Sequence, residues 1–155
     1  MNKYMLFKMN FLYFFLFLML CSCEFTLVKY DDRLSIRNDS ERNIYYCESL
    51  DYPDTSLILR DIKLDSFGQR IEMKKSKVDR LTNSTWEGIF RYLKSDTLIL
   101  FILDAEMVET VPWDTIRKNY EILMRYDLSF NDIQRLNWKI VFPPTDTVKL
   151  KVYRH

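Results

Sequence analysis

Histidine is almost absent from this chain: the one imidazole is His155, the last residue of the sequence. Chain ends fray and hold no rigid geometry, so this scarcity counts against Ser-His-Asp and Cys-His catalysis and the common zinc sites. Glycine is nearly as scarce, with Gly68 and Gly88 standing far apart. That excludes a glycine-rich phosphate loop. Charge of one sign is also missing, since 23 basic residues face 22 acidic ones, and a near-neutral chain lacks the electrostatic footprint of a nucleic-acid binder. Three cysteines, Cys21, Cys23 and Cys47, are too few for a disulfide scaffold. Nothing in the composition calls for a cofactor or a metal.

Apolar residues are instead concentrated at the start. Lys3 and Lys8 precede an unbroken run from Phe11 to Leu20, followed by Cys21-Ser22-Cys23. A bilayer span needs about 20 apolar residues, whereas a run of about 10 to 14 between a basic segment and small residues reads as a secretory signal. The end of the run resembles a bacterial lipobox: Leu20 is the aliphatic residue three before Cys23, and Ser22 is the small one directly before it. Cys23 is therefore the expected lipidation site. Cys21 fits worse, because Leu20 would fill the small-residue slot. Two or more acyl chains on Cys23 hold a protein on a membrane with no spanning helix.

Residues 1–22 are thus expected to be a signal peptide, residues 23–32 a tether and residues 33–155 a single globular domain. Cleavage before Cys23 leaves 133 of 155 residues and removes Lys3 and Lys8, so 21 basic residues remain against 22 acidic ones. That length supports one core.

Within the domain, Leu34 to Arg37 and Asn43 to Cys47 alternate like half-buried strands around Asn38-Asp39-Ser40, which predicts a hairpin. Ser56 to Arg60 and Arg70 to Met73 predict further strands, and Lys74 to Lys77 a solvated edge or loop. The continuous apolar run Leu98 to Leu103, bounded by aspartates, predicts a central strand. Pro112 opens one short helix and Ser129 caps a second, with Asp132 at the capping-box position. Trp138 to Phe142 predicts a strand ended by Pro143-Pro144, and Thr147 to Tyr153 a final edge strand. The fold class is mainly β with some α, either sandwich-like or one antiparallel sheet covered on one face, with two short helices.

Tyr52-Pro53-Asp54-Thr55-Ser56-Leu57, Trp86-Glu87, Leu98 to Asp104, Arg125-Tyr126-Asp127-Leu128-Ser129, Leu136-Asn137-Trp138-Lys139-Ile140 and Pro143-Pro144 together resemble a family of small Bacteroidota-type lipoproteins of uncharacterised function. The resemblance implies a place, the outer membrane of the cell envelope, rather than an activity. Glu24 alone follows Cys23 directly, so periplasmic and surface-facing orientations both stay open. Proteins of that envelope carry O-glycans at Asp-Ser/Thr-aliphatic sites, which implies Thr97, Thr115 and Thr147 as candidates. Local turn and capping bonds explain the same triplets equally well.

Two chemistries compete for the domain. Asp104, Glu106, Glu109 and Asp114 lie close in sequence, and paired carboxylates run glycoside hydrolysis without histidine. Solvated loops and helix caps account for them as well. The second is non-catalytic binding or assembly, with Tyr52 and Trp86 as candidate ligand contacts, and with a glycan or another envelope protein as partner beside the membrane itself. Core packing is the competing fate of the tryptophans. Buried small residues explain Cys47 without invoking a reactive thiol.

The address makes a direct prediction. The protein extracted from native membranes should have the mass of residues 23–155 plus a lipid anchor, and Cys23→Ser should leave the chain unlipidated. An unprocessed mass for the wild-type chain would overturn this reading.

Overall fold

The computed structural model of the protein describes residues 33–58, 60–63, 68–80, 85–145 and 151–154. Residues 1–32, over which a signal peptide and tether are expected, and Thr147 lie outside the described residues, Cys23 among them. No described helix is long and apolar enough to cross a membrane.

The chain is mainly β with short helices, as the alternation of its strands predicts. The strands are β1 (Arg33–Asn38), β2 (Ile44–Ser49), β3 (Gly68–Ile71), β4 (Ser76–Arg80), β5 (Thr97–Asp104), β6 (Met124–Ser129), β7 (Lys139–Phe142) and β8 (Lys151–Arg154). The helices are α1 (Trp86–Tyr92), α2 (Ala105–Thr110), α3 (Trp113–Asn119) and α4 (Phe130–Arg135). Four short helices are thus described where two were expected. Strands β4-β1-β7 form a three-stranded sheet, and β3-β2-β5-β6-β8 a five-stranded one. All pairs are antiparallel except β1 with β7.

β5 sets the layering. Its residues Leu98 to Leu103 are all fully buried, which is why the run is continuous rather than alternating. Leu98, Leu100 and Ile102 face a core shared with Leu34 and Ile36 of β1, Ile140 and Phe142 of β7, Trp86 and Phe90 of α1, and Ile133 of α4. Ile99, Phe101 and Leu103 face a second core with Cys47, Leu57, Val108 of α2, and Trp113 and Ile116 of α3. The sandwich-like pairing is present, and the larger sheet is covered on its other face too. Tyr126 of β6 links the sheets directly, its hydroxyl donating to the Val141 carbonyl of β7 at 2.9 Å.

Two expectations are corrected. β1 and β2 do not form a hairpin: they belong to different sheets. Both present apolar residues to the same core, and these are buried by stacking the strands face to face. The turn chemistry of Asn38 to Ser40 serves the corner between the layers. Asn38 is fully buried. Its Nδ2 donates to the carbonyls of Arg42 (2.7 Å), Glu72 (3.2 Å) and Ile71 (3.4 Å), and its Oδ1 accepts from the Ser40 amide (3.1 Å) and hydroxyl (2.7 Å). The second correction is the strand over Ser56 to Arg60. Residues 56–58 and 60 carry no ladder, and Leu57 plugs the second core from a loop. Lys74 to Lys77 divides between a turn and the start of edge strand β4.

Because a buried carbonyl left without its donor costs about 1–3 kcal/mol, Asn38→Ala and Asn38→Asp should each lower stability by about 2 kcal/mol in urea unfolding. Two variants matching the wild type would show that the corner does not depend on this side chain.

Candidate functional site

The odd-numbered residues of β2, β5, β6 and β8 share one face of the five-stranded sheet and divide it in two. Helices α2 and α3 cover the β2 and β5 half, where those residues are apolar. Toward β6 and β8 the same face turns polar. Register sets Thr97 opposite Ser129, Ile99 opposite Asp127, and Asp127 opposite Lys151. Cross-strand partners share a face, so these polar groups stand together. With Tyr52 and Asp132 they line a cleft of about 340 Å³, at the low end of the roughly 300–1,000 Å³ common for small-molecule sites.

Asp127 is buried, with 4% of its side chain exposed, and Arg125 two residues earlier on the same strand grips it. Arg125 Nε donates to Oδ1 at 2.9 Å and Nη2 to Oδ2 at 3.3 Å, a two-point contact that holds a carboxylate flat. The guanidinium is fixed in turn. Its Nη1 donates to the Tyr120 hydroxyl at 3.0 Å, and its Cζ lies 3.9 Å from the Tyr153 ring centre, within cation–π range. Tyr120 reaches that position from the left-handed C-cap of α3 (φ 55°), with its ring edge-on to Phe101. Burial works against the Arg125 charge, but the bonds to Tyr120 and Asp127 outweigh it and raise its pKa further.

Asp132 is held differently. Ser129 ends β6 and caps α4 in a reciprocal box: its hydroxyl accepts from the Asp132 amide (3.2 Å). The Asp132 carboxylate accepts from the Ser129 amide (3.0 Å) and hydroxyl (2.6 Å) and pairs with Arg135. Partial burial alone would raise its pKa, and the hydrogen bonds from Ser129 and Arg135 together overcome this and lower it. The carboxylate is ionised at neutral pH.

Tyr52 is half-buried against the second core. Ser95 anchors its loop by donating to the Tyr52 carbonyl at 3.2 Å, and Thr97 donates to the Ser95 carbonyl at 3.0 Å. These bonds tie the aromatic wall to the start of β5. Lys151 stands exposed on the β8 side.

The structure sorts the candidate residues of the sequence. Tyr52 lines the cleft. Trp86 does not: it is 1% exposed and packs in the first core, because the first turn of α1 points it inward, so it is corrected from ligand contact to core residue. Thr97 lines the cleft with its hydroxyl engaged, whereas Thr115 is exposed on α3. Asp104, Glu106, Glu109 and Asp114 line neither this cleft nor the shallower one between α1 and α4. Asp104 caps α2 and pairs with Arg42 (2.9 Å), Glu109 pairs with Arg70 (2.9 Å), and Asp114 is exposed beside Arg117. Among the described residues no three His, Cys, Asp or Glu side chains are grouped to hold a metal. Cys47 is buried, and burial, followed by the neighbouring Glu48, pushes its thiol far above the ordinary range.

Sequence reasoning did not single out Asp127, Asp132 or Lys151 as site residues. A signal for Asp127 was present. In Arg125-Tyr126-Asp127-Leu128-Ser129 the charged and polar residues fall on one face and the apolar ones on the other, with opposite charges at i and i+2.

Asp132 makes a pH prediction. Its folded pKa lies below the unfolded value near 3.9, so the unfolded chain binds more protons between the two. Its contribution is complete above about pH 4 and is lost as pH falls through the folded value. Asp132→Asn should flatten that part of the stability curve, and Ser129→Ala should cost about 1 kcal/mol at neutral pH. An unchanged acid limb in Asp132→Asn would show that the box is not the source.

No protein-family model, curated protein or solved structure matches the chain, so the functional reading rests on the geometry of the cleft.

Proposed function

We propose that this protein is a lipid-anchored component of the bacterial cell envelope whose folded domain binds a small saccharide in the cleft of Tyr52, Thr97, Asp127, Ser129, Asp132 and Lys151 without converting it. The anchor is Cys23, and the support for it is the lipobox-like Leu20-Cys21-Ser22-Cys23. One observation carries the binding reading: the two carboxylates of the cleft are fixed by arginines and by a capping box as preorganised acceptors. Sugar hydroxyls need such acceptors in fixed positions, and an ionised carboxylate accepts along several lone pairs. Lys151 adds a donor and Tyr52 an aromatic surface.

A carboxylate-dependent glycoside hydrolase is the second reading, and it draws on the same two aspartates. It needs one of them protonated near the working pH to serve the leaving group. Asp132, held ionised by Ser129 and Arg135, is unsuited to that role, and both oxygens of Asp127 already accept from the Arg125 guanidinium, which favours binding over cleavage.

Calorimetric titration of the detergent-solubilised protein with hexoses, N-acetylhexosamines and hexuronates should give saturable binding by at least one class. Tyr52→Ala should weaken it about five- to tenfold, the loss expected for one aromatic contact. No binding across the panel would overturn the saccharide reading, and release of reducing sugar from oligosaccharides would establish the hydrolase instead.

A further inference from the structure

The charges around the cleft do not cancel. Asp127 is matched by the two-point contact from Arg125, and Asp132 by Arg135. Lys151 lies in register with Asp127 across the β6–β8 pair and faces the same cleft, yet it has no ion pair among the described residues. Three cations thus stand around two anions. The surplus charge is the one on a long, adjustable side chain at the cleft wall.

We infer that Lys151 makes the cleft selective for an acidic saccharide, a sugar ring bearing one carboxylate, over its neutral counterpart. This rests on the reading of the cleft as a saccharide site and adds the ligand's charge to it. The ring hydroxyls meet the carboxylates of Asp127 and Asp132, and the ligand carboxylate meets the Lys151 ammonium. Such a charge-assisted bond is stronger than one to a neutral hydroxyl. A phosphorylated sugar fits less well, because a dianion would meet two fixed carboxylates with one surplus cation to offset it. The Arg125–Asp127 pair keeps those acceptors in place while leaving the ammonium uncommitted.

The test uses the detergent-solubilised full chain and two matched pairs of probes, glucose with glucuronate and galactose with galacturonate, titrated calorimetrically. In at least one pair the acidic sugar should bind about tenfold more tightly, the effect of one partly exposed charge-assisted hydrogen bond. The preference should shrink as ionic strength rises from about 0.05 to 0.5 M, where screening shortens the reach of an exposed charge. Lys151→Met should abolish the preference, and Lys151→Arg should keep most of it. Equal or weaker binding of the acidic sugars by the wild type, or a preference that persists in Lys151→Met, overturns the inference while leaving the saccharide reading intact. Absence of binding by all four probes overturns the inference, and absence of binding by N-acetylhexosamines as well overturns the saccharide reading with it. The wild-type comparison and its salt dependence decide the matter even if a variant fails to fold.

Discussion

Water is kept off both faces of β5, and the rest of the architecture follows from that requirement. Six consecutive apolar side chains, Leu98 to Leu103, point alternately up and down, so neither face of this strand can meet solvent without exposing three of them. Fully burying one such side chain contributes about 1.5–3 kcal/mol. The strand must therefore lie inside a sheet and have a layer on each side. β2 and β6 flank it, the three-stranded sheet with α1 and α4 closes one face, and α2 and α3 close the other. Helices this short are marginal alone. They are held by Val108, Trp113, Ile116 and Ile133 packing onto the sheet.

Coverage of the second face stops short of β6 and β8, and the cleft forms there. A sheet face leaving its apolar cover must change chemistry, and β6 does so within one strand. Tyr126 and Leu128 point to the dry core, while Arg125, Asp127 and Ser129 point to the other side. Burying Asp127 without a partner would be costly. Arg125 supplies that partner, Tyr120 and Tyr153 steady the guanidinium, and Ser129 joins the strand end to α4. Site and scaffold share residues, because Ser129 ends a strand, caps a helix and lines the cleft.

Local patterns carried much of this in the sequence. The continuous run of β5, the alternation of β1 and β2, and the cap at Ser129 each follow from interactions within a few residues. Trp86 shows the limit. An aromatic near a helix start has the same local signature whether it faces a ligand or a core, and the packing of α1 onto the sheet puts it at 1% exposure. The carboxylates near the end of β5 show a related limit, since nearness in sequence there reflects capping and ion pairs rather than convergence on a cleft.

By itself the sequence determined the lipobox-like start, the doubly buried strand, the scarcity of histidine and glycine chemistry, and the mainly β class, because each depends on residue type and short-range period. The tertiary structure decided which strands are neighbours, that Asn38 marks a corner between layers, and that Tyr52, Asp127, Asp132 and Lys151 meet. The reason is physical. Residues from a loop, two strands and a helix become neighbours through registers and layer contacts that join segments distant in the chain, and a period of two says which face a side chain takes but not what stands opposite it.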